Sequence, residues 1–447
     1  MASQAIAVVP SKQKQVLLLD DTGGQRVFSK PQQAIKWLAE NLNGAVILGT
    51  MGGPGQELFG RMADSGISVF RTPFSRLQEF GFEPKASSED RAAMLQAAWQ
   101  AKPEGFYPLR EIDQTVMLIR ELTRQRLNVQ ESRKMATLQL HSALRSMEFV
   151  LPDEAATAVE LLRKGLKKQF SEPETLRQIE AEFQRLAEEV ALSSGQQARI
   201  FAIRQFFSNP RFILGAKEDE QELEKQISKL LASVGIWQWL RRKGTTLPAI
   251  KGLGPAIGGA IVSEIGDIRR FPSSEDLRAY ARFHINREGK FPHRKKGELS
   301  PFNRYLSRAV WLWTSDQVAR YDHVWRELYQ WKKAREMKAH PEPVARQAVD
   351  KTGRQYTIYD FSLKHLDSRA KRWTGSQLLN YLWSFWQEVA ANRDPETWYV
   401  GSSWPAYFAQ AEAELNDRLM AYLEEQIPLR RRKEPKEEEP DEEEEGI

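Results

Sequence analysis

The sequence predicts an α/β domain followed by all-α structure, and three observations carry that expectation. Short apolar runs alternate with amphipathic stretches over the first hundred residues. From residue 112 the apolar positions recur with a period of about 3.6 in a charged background. At 247–265 two apolar stretches flank a pair of glycines. The expected layout is an α/β domain over 1–110, a helical, coiled-coil linker over 111–240, a helix-hairpin-helix domain over 241–340, a tryptophan-rich helical extension over 341–428 and a disordered charged tail over 429–447.

In the α/β part, Q-V-L-L-L-D at 15–20 reads as a strand, and the turn residues 21–24 send it back as a hairpin into 25–28. Ser29 caps a helix with Pro31 in its first turn and Ala34, Ile35, Leu38 and Leu42 on one face. A buried strand at 45–48, a glycine-rich turn at 52–55, a helix carrying Leu58, Met62 and Ala63, and a strand at 67–70 complete the pattern. Asp20 and Asp21 read as turn formers, with paired carboxylates on a metal as the other reading.

The helical part shows Val116, Ile119, Leu122, Leu127, Leu138 and Leu144 on helical spacing, then further charged helical blocks at 172–192 and 220–231. Long charged helices of this kind pair as a coiled coil and offer a route to a homo-oligomer. Arg120, Arg124, Arg126 and Arg133 read as a solvated face.

Composition bounds the function. The 447 residues suffice for two or three domains. There is no cysteine, which excludes disulfides, thiolate zinc sites and cysteine nucleophiles and fits a cytoplasmic setting. His323, His340 and His365 show no metal-ligand spacing. With no signal peptide and no long apolar run, no membrane association is expected. Residues 434–447 carry nine acids and one lysine, a net of −8, so the formal charge of +5 becomes +13 without them. So basic a body fits a polyanion. The tail itself reads as a solubilising end or as a nucleic-acid mimic that competes for the basic surface.

The stretch around which the rest is organised is 247–308. It opens L-P-A-I-K-G-L-G-P-A-I-G-G-A-I-V-S-E-I-G-D, which reads as a short helix end, a tight turn at Gly252 and Gly254, and a second helix with Pro255 at its first position. Such glycines either end one helix and start the next, or take positive φ and turn backbone N–H groups, with Lys251 and Gly258 nearby, toward a phosphate. Between 269 and 296 the cations Arg282, Arg287, Lys290, Arg294, Lys295 and Lys296 stand among Phe271, Tyr280, Phe283 and Phe291. Cations with rings between them suit a nucleic-acid backbone and its bases.

These residues also resemble a known family. Ile250, Gly252, Gly254, Ala260, Glu264, Ile265, Gly266, Asp267, Arg270, Phe271, Ser273, Tyr280 and Ala281, then Ser300, Asn303, Arg304, Tyr305, Leu306, Arg308 and Ala309, match in order the C-terminal domain of the Piv-type insertion-sequence transposases. These are recombinases with an N-terminal RuvC-like (RNase H-like) domain, several of them guided by a bridge RNA. The resemblance covers roughly 6–338, firmly at 247–308. It implies a RuvC-like α/β domain, a linking helix and a helix-hairpin-helix domain, with DNA and structured RNA as partners.

The same resemblance implies that the chemistry is altered. The family holds divalent metal on four acids; here their positions fall on Val9, Gly49, Ser87 and Asp90, of which only Asp90 is acidic. Valine and glycine offer no oxygen ligand, so no metal is expected there. The family's nucleophilic serine has no counterpart in the loop 286–297; the nearest hydroxyl, Ser300 before Pro301, reads as a helix cap. The expectation is a nucleic-acid-binding protein derived from a transposase, with no catalytic residue and no cofactor. Two other readings remain: an active recombinase using displaced residues with magnesium, and a dimeric scaffold.

Overall fold

The computed structural model describes residues 4–10, 15–41, 45–50, 56–72, 77, 79–81, 86–109, 111–148, 208–242, 246–248, 250–285, 292, 300, 302–318, 324–349, 353, 355–415 and 417–433. The chain divides into two compact units, one formed by 1–118 with 231–447 and the other by 119–230. No helix among the described residues is long and apolar enough to cross a membrane.

The first unit begins with a six-stranded sheet in the order β3-β2-β1-β4-β5-β6. Strands β1 (Ala5–Pro10), β2 (Val16–Asp20) and β3 (Gln25–Phe28) run as an antiparallel meander. Asp20 makes the β2–β3 turn by accepting hydrogen bonds from the Thr22 and Gly24 amides, at 3.0 and 2.7 Å, and from the Thr22 hydroxyl. Its turn-forming reading therefore holds. After helix α1 (Pro31–Asn41), strand β4 (Val46–Thr50) lies parallel to β1; after α2 (Gln56–Asp64), β5 (Ser68–Thr72) lies parallel to β4. Helix α3 (Ser88–Ala101) and the short β6 (Tyr107–Pro108) close the domain. Because side chains alternate along a strand, β1 feeds two cores. Ala7 and Val9 meet Ala92 and Leu95 of α3, whereas Ile6 and Val8 meet Leu38 of α1 and Phe59 and Met62 of α2. Each fully buried large side chain contributes roughly 1.5–3 kcal/mol.

Helix α4 (Glu111–Glu148) runs on into the second unit, where it is joined by α5 (Ser208–Leu231). Ile213, Ala216, Glu220, Leu223 and Ile227 form the buried stripe of α5 at three- and four-residue spacing. Arg126 pairs with Glu224 at 3.2 Å and Arg133 with Glu220, so the two helices run antiparallel and these two arginines are bridging rather than solvated. The helical block expected at 172–192 lies outside the described residues.

The rest of the first unit comprises α6 (Gly235–Arg241), α7 (Pro255–Ile265), α8 (Ser274–Tyr280), α9 (Arg304–Leu312) with a π-helical turn at Trp313–Val318, and α10 (Val324–Ala339). Then come the hairpin of β7 (Val344–Val349) and β8 (Gln355–Asp360) and the helices α11 (Leu363–Ala390), α12 (Pro395–Gly401), α13 (Trp404–Glu414) and α14 (Asp417–Lys433). The extension is therefore not wholly helical, and residues 429–433, assigned to the tail, continue a helix.

Most of the tryptophans pack against other side chains. Trp325 stands at the centre, its ring 5.5 Å from Trp313, 5.7 Å from Tyr381 and 5.1 Å from Phe408. The extension packs on the helical segment before it. The Ser376 hydroxyl donates to the Phe283 carbonyl at 2.7 Å and the Trp383 indole to the Phe271 carbonyl at 2.9 Å. Tyr107 of β6 in turn donates to the Arg269 carbonyl at 3.2 Å, which fastens the sheet to the helical part.

Helices α10 and α11 are clamped at Asp367, which Lys333 and Lys371 approach to 2.9 and 2.7 Å and to which the Tyr329 phenol donates. Burial pushes the Asp367 carboxyl up, but the two ammonium groups and the phenol outweigh it and hold the pKa at about 2, below the ordinary 3.8. A depressed folded-state pKa gives stability that is present above about pH 4 and lost as pH falls through about 2. Asp367→Asn should accordingly lower the melting temperature at neutral pH. The gap to the parent should close between pH 4 and 2, and a gap constant with pH would show that the clamp is not electrostatic.

Candidate nucleic-acid interface

The turn differs from its sequence expectation. Residues 246–248 and 250–254 are not helical, so the first helix of the pair is α6, ending at Arg241. Pro248 explains this, since it has no N–H to donate and bars the residue before it from helical geometry. Of the two glycines only Gly252 has positive φ, at 81°. Gly254 is extended, at φ −73° and ψ 173°, and caps α7, whose first residue is Pro255. The Trp313 indole donates to the Lys251 carbonyl at 2.9 Å and Arg241 to the Leu253 carbonyl at 3.4 Å, so the turn is held from both sides while Lys251 is exposed. Gly258 is buried. A Cβ there would stand 2.1 Å from Cζ3 of Trp237, so this glycine lets α6 approach α7 and has no surface to offer a phosphate.

Several motif residues converge on a half-buried polar network. Asn303 accepts hydrogen bonds from the Tyr305 and Leu306 amides, which caps α9, and donates to Glu264 at 2.8 Å and to the Tyr280 oxygen at 2.7 Å. The cap is thus Asn303 and not Ser300, whose hydroxyl instead donates to the Phe302 carbonyl at 2.8 Å. Asn303 serves the frame, because its side chain spans three elements from inside. Arg270 lies 4.5 Å from the centres of both the Phe271 and Tyr280 rings and donates to the Glu264 carbonyl. Burial pushes the Tyr280 phenol up, yet the Arg270 charge and the hydrogen bonds from Arg270 and Asn303 together outweigh it and lower the pKa below the ordinary value.

Beside this frame lies a cleft of about 370 Å³ whose lining includes four arginines, Arg282, Arg304, Arg308 and Arg372. Arg304, Ser307, Arg308 and Trp311 reach it from one face of α9, as spacings of three, four and seven residues require. Phe283 and Phe302 complete the wall, and among the described residues none that lines it is acidic. Arg282 sits in the left-handed region at φ 64°, a conformation that costs a non-glycine residue roughly 1–3 kcal/mol. There its Nε donates to the Pro292 carbonyl at 2.8 Å and its guanidinium lies 4.9 Å from the Phe302 ring centre. Arg304 lies over Tyr305 at 4.7 Å and Arg372 over Trp311 at 5.8 Å. Burial, then the charge of Arg282, lowers the pKa of Arg372.

The structure therefore brings Arg282 and Arg304 together, with Lys251 at the turn and outside the cleft lining. Arg287, Lys290, Arg294, Lys295 and Lys296 lie outside the described residues. Sequence reasoning missed two arginines of the cleft. Arg308 was legible only as a motif position. Arg372, on α11, had one indirect signal: Gly375 and Ser376 just beyond it mark a close approach, since a Cβ on Gly375 would stand 2.4 Å from the Phe283 ring.

In the α/β domain the positions of interest are structurally occupied. Val9 is buried in the α3-side core. A Cβ on Gly49 would meet Cζ of Phe59 at 2.3 Å, and Phe59 belongs to the core on the other face of the sheet. Side chains at 9 and 49 thus point to opposite faces. Ser87 caps α3 by accepting from the Asp90 amide, and the Asp90 carboxylate accepts from the Ser87 amide and hydroxyl, a reciprocal capping box. Among the described residues no group of three or more His, Asp or Glu is placed to hold a metal ion.

Residues 244–330 match the family model described as Transposase IS116/IS110/IS902 family, so this segment is similar to transposases of that family. No curated protein matches the chain.

Proposed function

We propose that this transposase-type domain makes the chain a nucleic-acid-binding protein that holds DNA or structured RNA by its phosphates and does not recombine it. The observation that carries the reading is the cleft, which four arginines line together with aromatic rings. Like charges brought together repel, and a polyanion offsets that repulsion while releasing its own counterions. Two finer assignments belong to the same reading. The strand order, with an antiparallel meander followed by two parallel strands, supports a RuvC-like domain. The meeting of α6 and α7 across Trp237 and Gly258 supports a helix-hairpin-helix. Loss of metal chemistry is supported by Val9 and Gly49 in packed cores and by Asp90 in a helix cap. Self-association through the helical segment and a cytoplasmic location complete the proposal.

Filter binding across a salt series tests it. Affinity should fall linearly with salt on logarithmic axes. Lys251→Ala should lower the slope by about 0.7–0.9 and weaken all sequences alike. Incubation with magnesium or manganese should give no cleaved or exchanged strand. Binding indifferent to salt would remove the phosphate reading, and a product abolished by Asp90→Ala would restore an active recombinase.

A further inference from the structure

The cleft contains more than charge. Phosphates alone need cations, yet here each of two guanidinium groups lies over a ring that shares the wall, Arg282 over Phe302 and Arg372 over Trp311. Both rings are half-buried and neither is sealed into the core. A volume of about 370 Å³ falls within the range of small-ligand pockets, roughly 300–1,000 Å³, too confined for a duplex. A duplex keeps its bases stacked on one another and would present only sugar and phosphate here, leaving the rings unused. An unstacked nucleotide satisfies both parts of the wall, since its base has a flat face for the rings and guanidinium planes and its phosphates meet the charges. The left-handed backbone at Arg282 fits this too: the chain holds a strained residue so that one side chain binds the Pro292 carbonyl and still covers Phe302.

We propose that the cleft formed by Arg282, Phe302, Arg304, Arg308, Trp311 and Arg372 takes an unstacked nucleotide of a single-stranded segment, with its base against Trp311 and Phe302 and its phosphates on the arginines. This rests on reading the cleft as a nucleic-acid interface. Arg372 lies outside the matched segment 244–330, so the site is complete only with α11 in place.

Fluorescence anisotropy with a labelled single-stranded 12-mer and the blunt duplex of the same sequence, at one salt concentration, tests the inference on the full chain. Charge alone favours the duplex, whose counterion release is larger. The expected result is the reverse, tighter binding of the single strand. Trp311→Ala should lower single-strand affinity by about 5- to 150-fold, the range of one base–aromatic stack, and narrow the preference, while Trp311→Phe keeps most of it. Phe302→Leu, which keeps apolar volume and removes the ring face, should narrow it as well and decides the matter if Trp311→Ala does not fold. Equal or tighter duplex binding by the parent overturns the inference, as does an equal loss for both probes in the variants, and each leaves the phosphate interface standing. Failure of the folded parent to bind either probe removes the interface and the inference together.

Discussion

Replacing Arg308 and Arg372 together by alanine should lower affinity for nucleic acid of any sequence by at least about 100-fold. A hydrogen bond to a charged group contributes about 1.5–3 kcal/mol, and the two changes remove one such donor group each. The salt slope should fall by about 1.4–1.8, two phosphates' worth of released counterions. A thermal melt accompanies the titration: a melting temperature close to the parent's shows that the loss is one of binding and not of folding. Arg372→Lys should restore little, because a point charge does not reproduce a planar guanidinium over Trp311. Unchanged affinity and slope in the double variant would move the interface to the basic loop at 287–296.

The second large effect is expected at Gly258. A Cβ there stands 2.1 Å from Cζ3 and 2.5 Å from Cη2 of Trp237, and the indole is itself buried, so Gly258→Ala must push α6 off α7. Overpacking of this kind costs about 1–3 kcal/mol and should appear in a thermal melt. Trp237→Leu in the same chain should recover part of the loss, since the two sites are coupled through one contact. Gly254→Ala supplies the contrast: its Cβ would meet nothing within 4 Å and its φ is one any residue adopts. If Gly258→Ala melts as the parent does, the helix crossing is not as close as described.

How far such features were legible in the sequence depended on the range of the interaction that decides them. The meander and the parallel strands were readable because alternation and turn residues act locally, as at Asp20 with its neighbours Thr22 and Gly24. A turn at 252–254 was readable too, but not which glycine turns left-handed, because that depends on where α7 begins. Ser300 before a proline reads as the cap by local chemistry, but Asn303 takes that place in the structure. Asn303 is used because its amide also reaches Glu264 and Tyr280, contacts made only after folding. The hairpin of β7 and β8 was missed since Y-T-I-Y alternates too briefly to stand out from a tryptophan-rich helical background. Arg372 was beyond reach for the same reason: it meets Trp311 from sixty-one residues away, through the packing of α11.

The three bonds by which α11 reaches the segment before it bear on how such proteins can be divided. Ser376, Trp383 and Gln387 donate to the carbonyls of Phe283, Phe271 and Ile268 at 2.7, 2.9 and 3.5 Å. A buried carbonyl left without its donor costs about 1–3 kcal/mol. A fragment cut at the limits of family similarity, 244–330, would therefore strand these acceptors and lose one wall of the cleft with them. Kinship and foldability draw different boundaries on this chain. A transplant meant to carry its grip on a polyanion has to extend at least to Ala390, the last residue of α11.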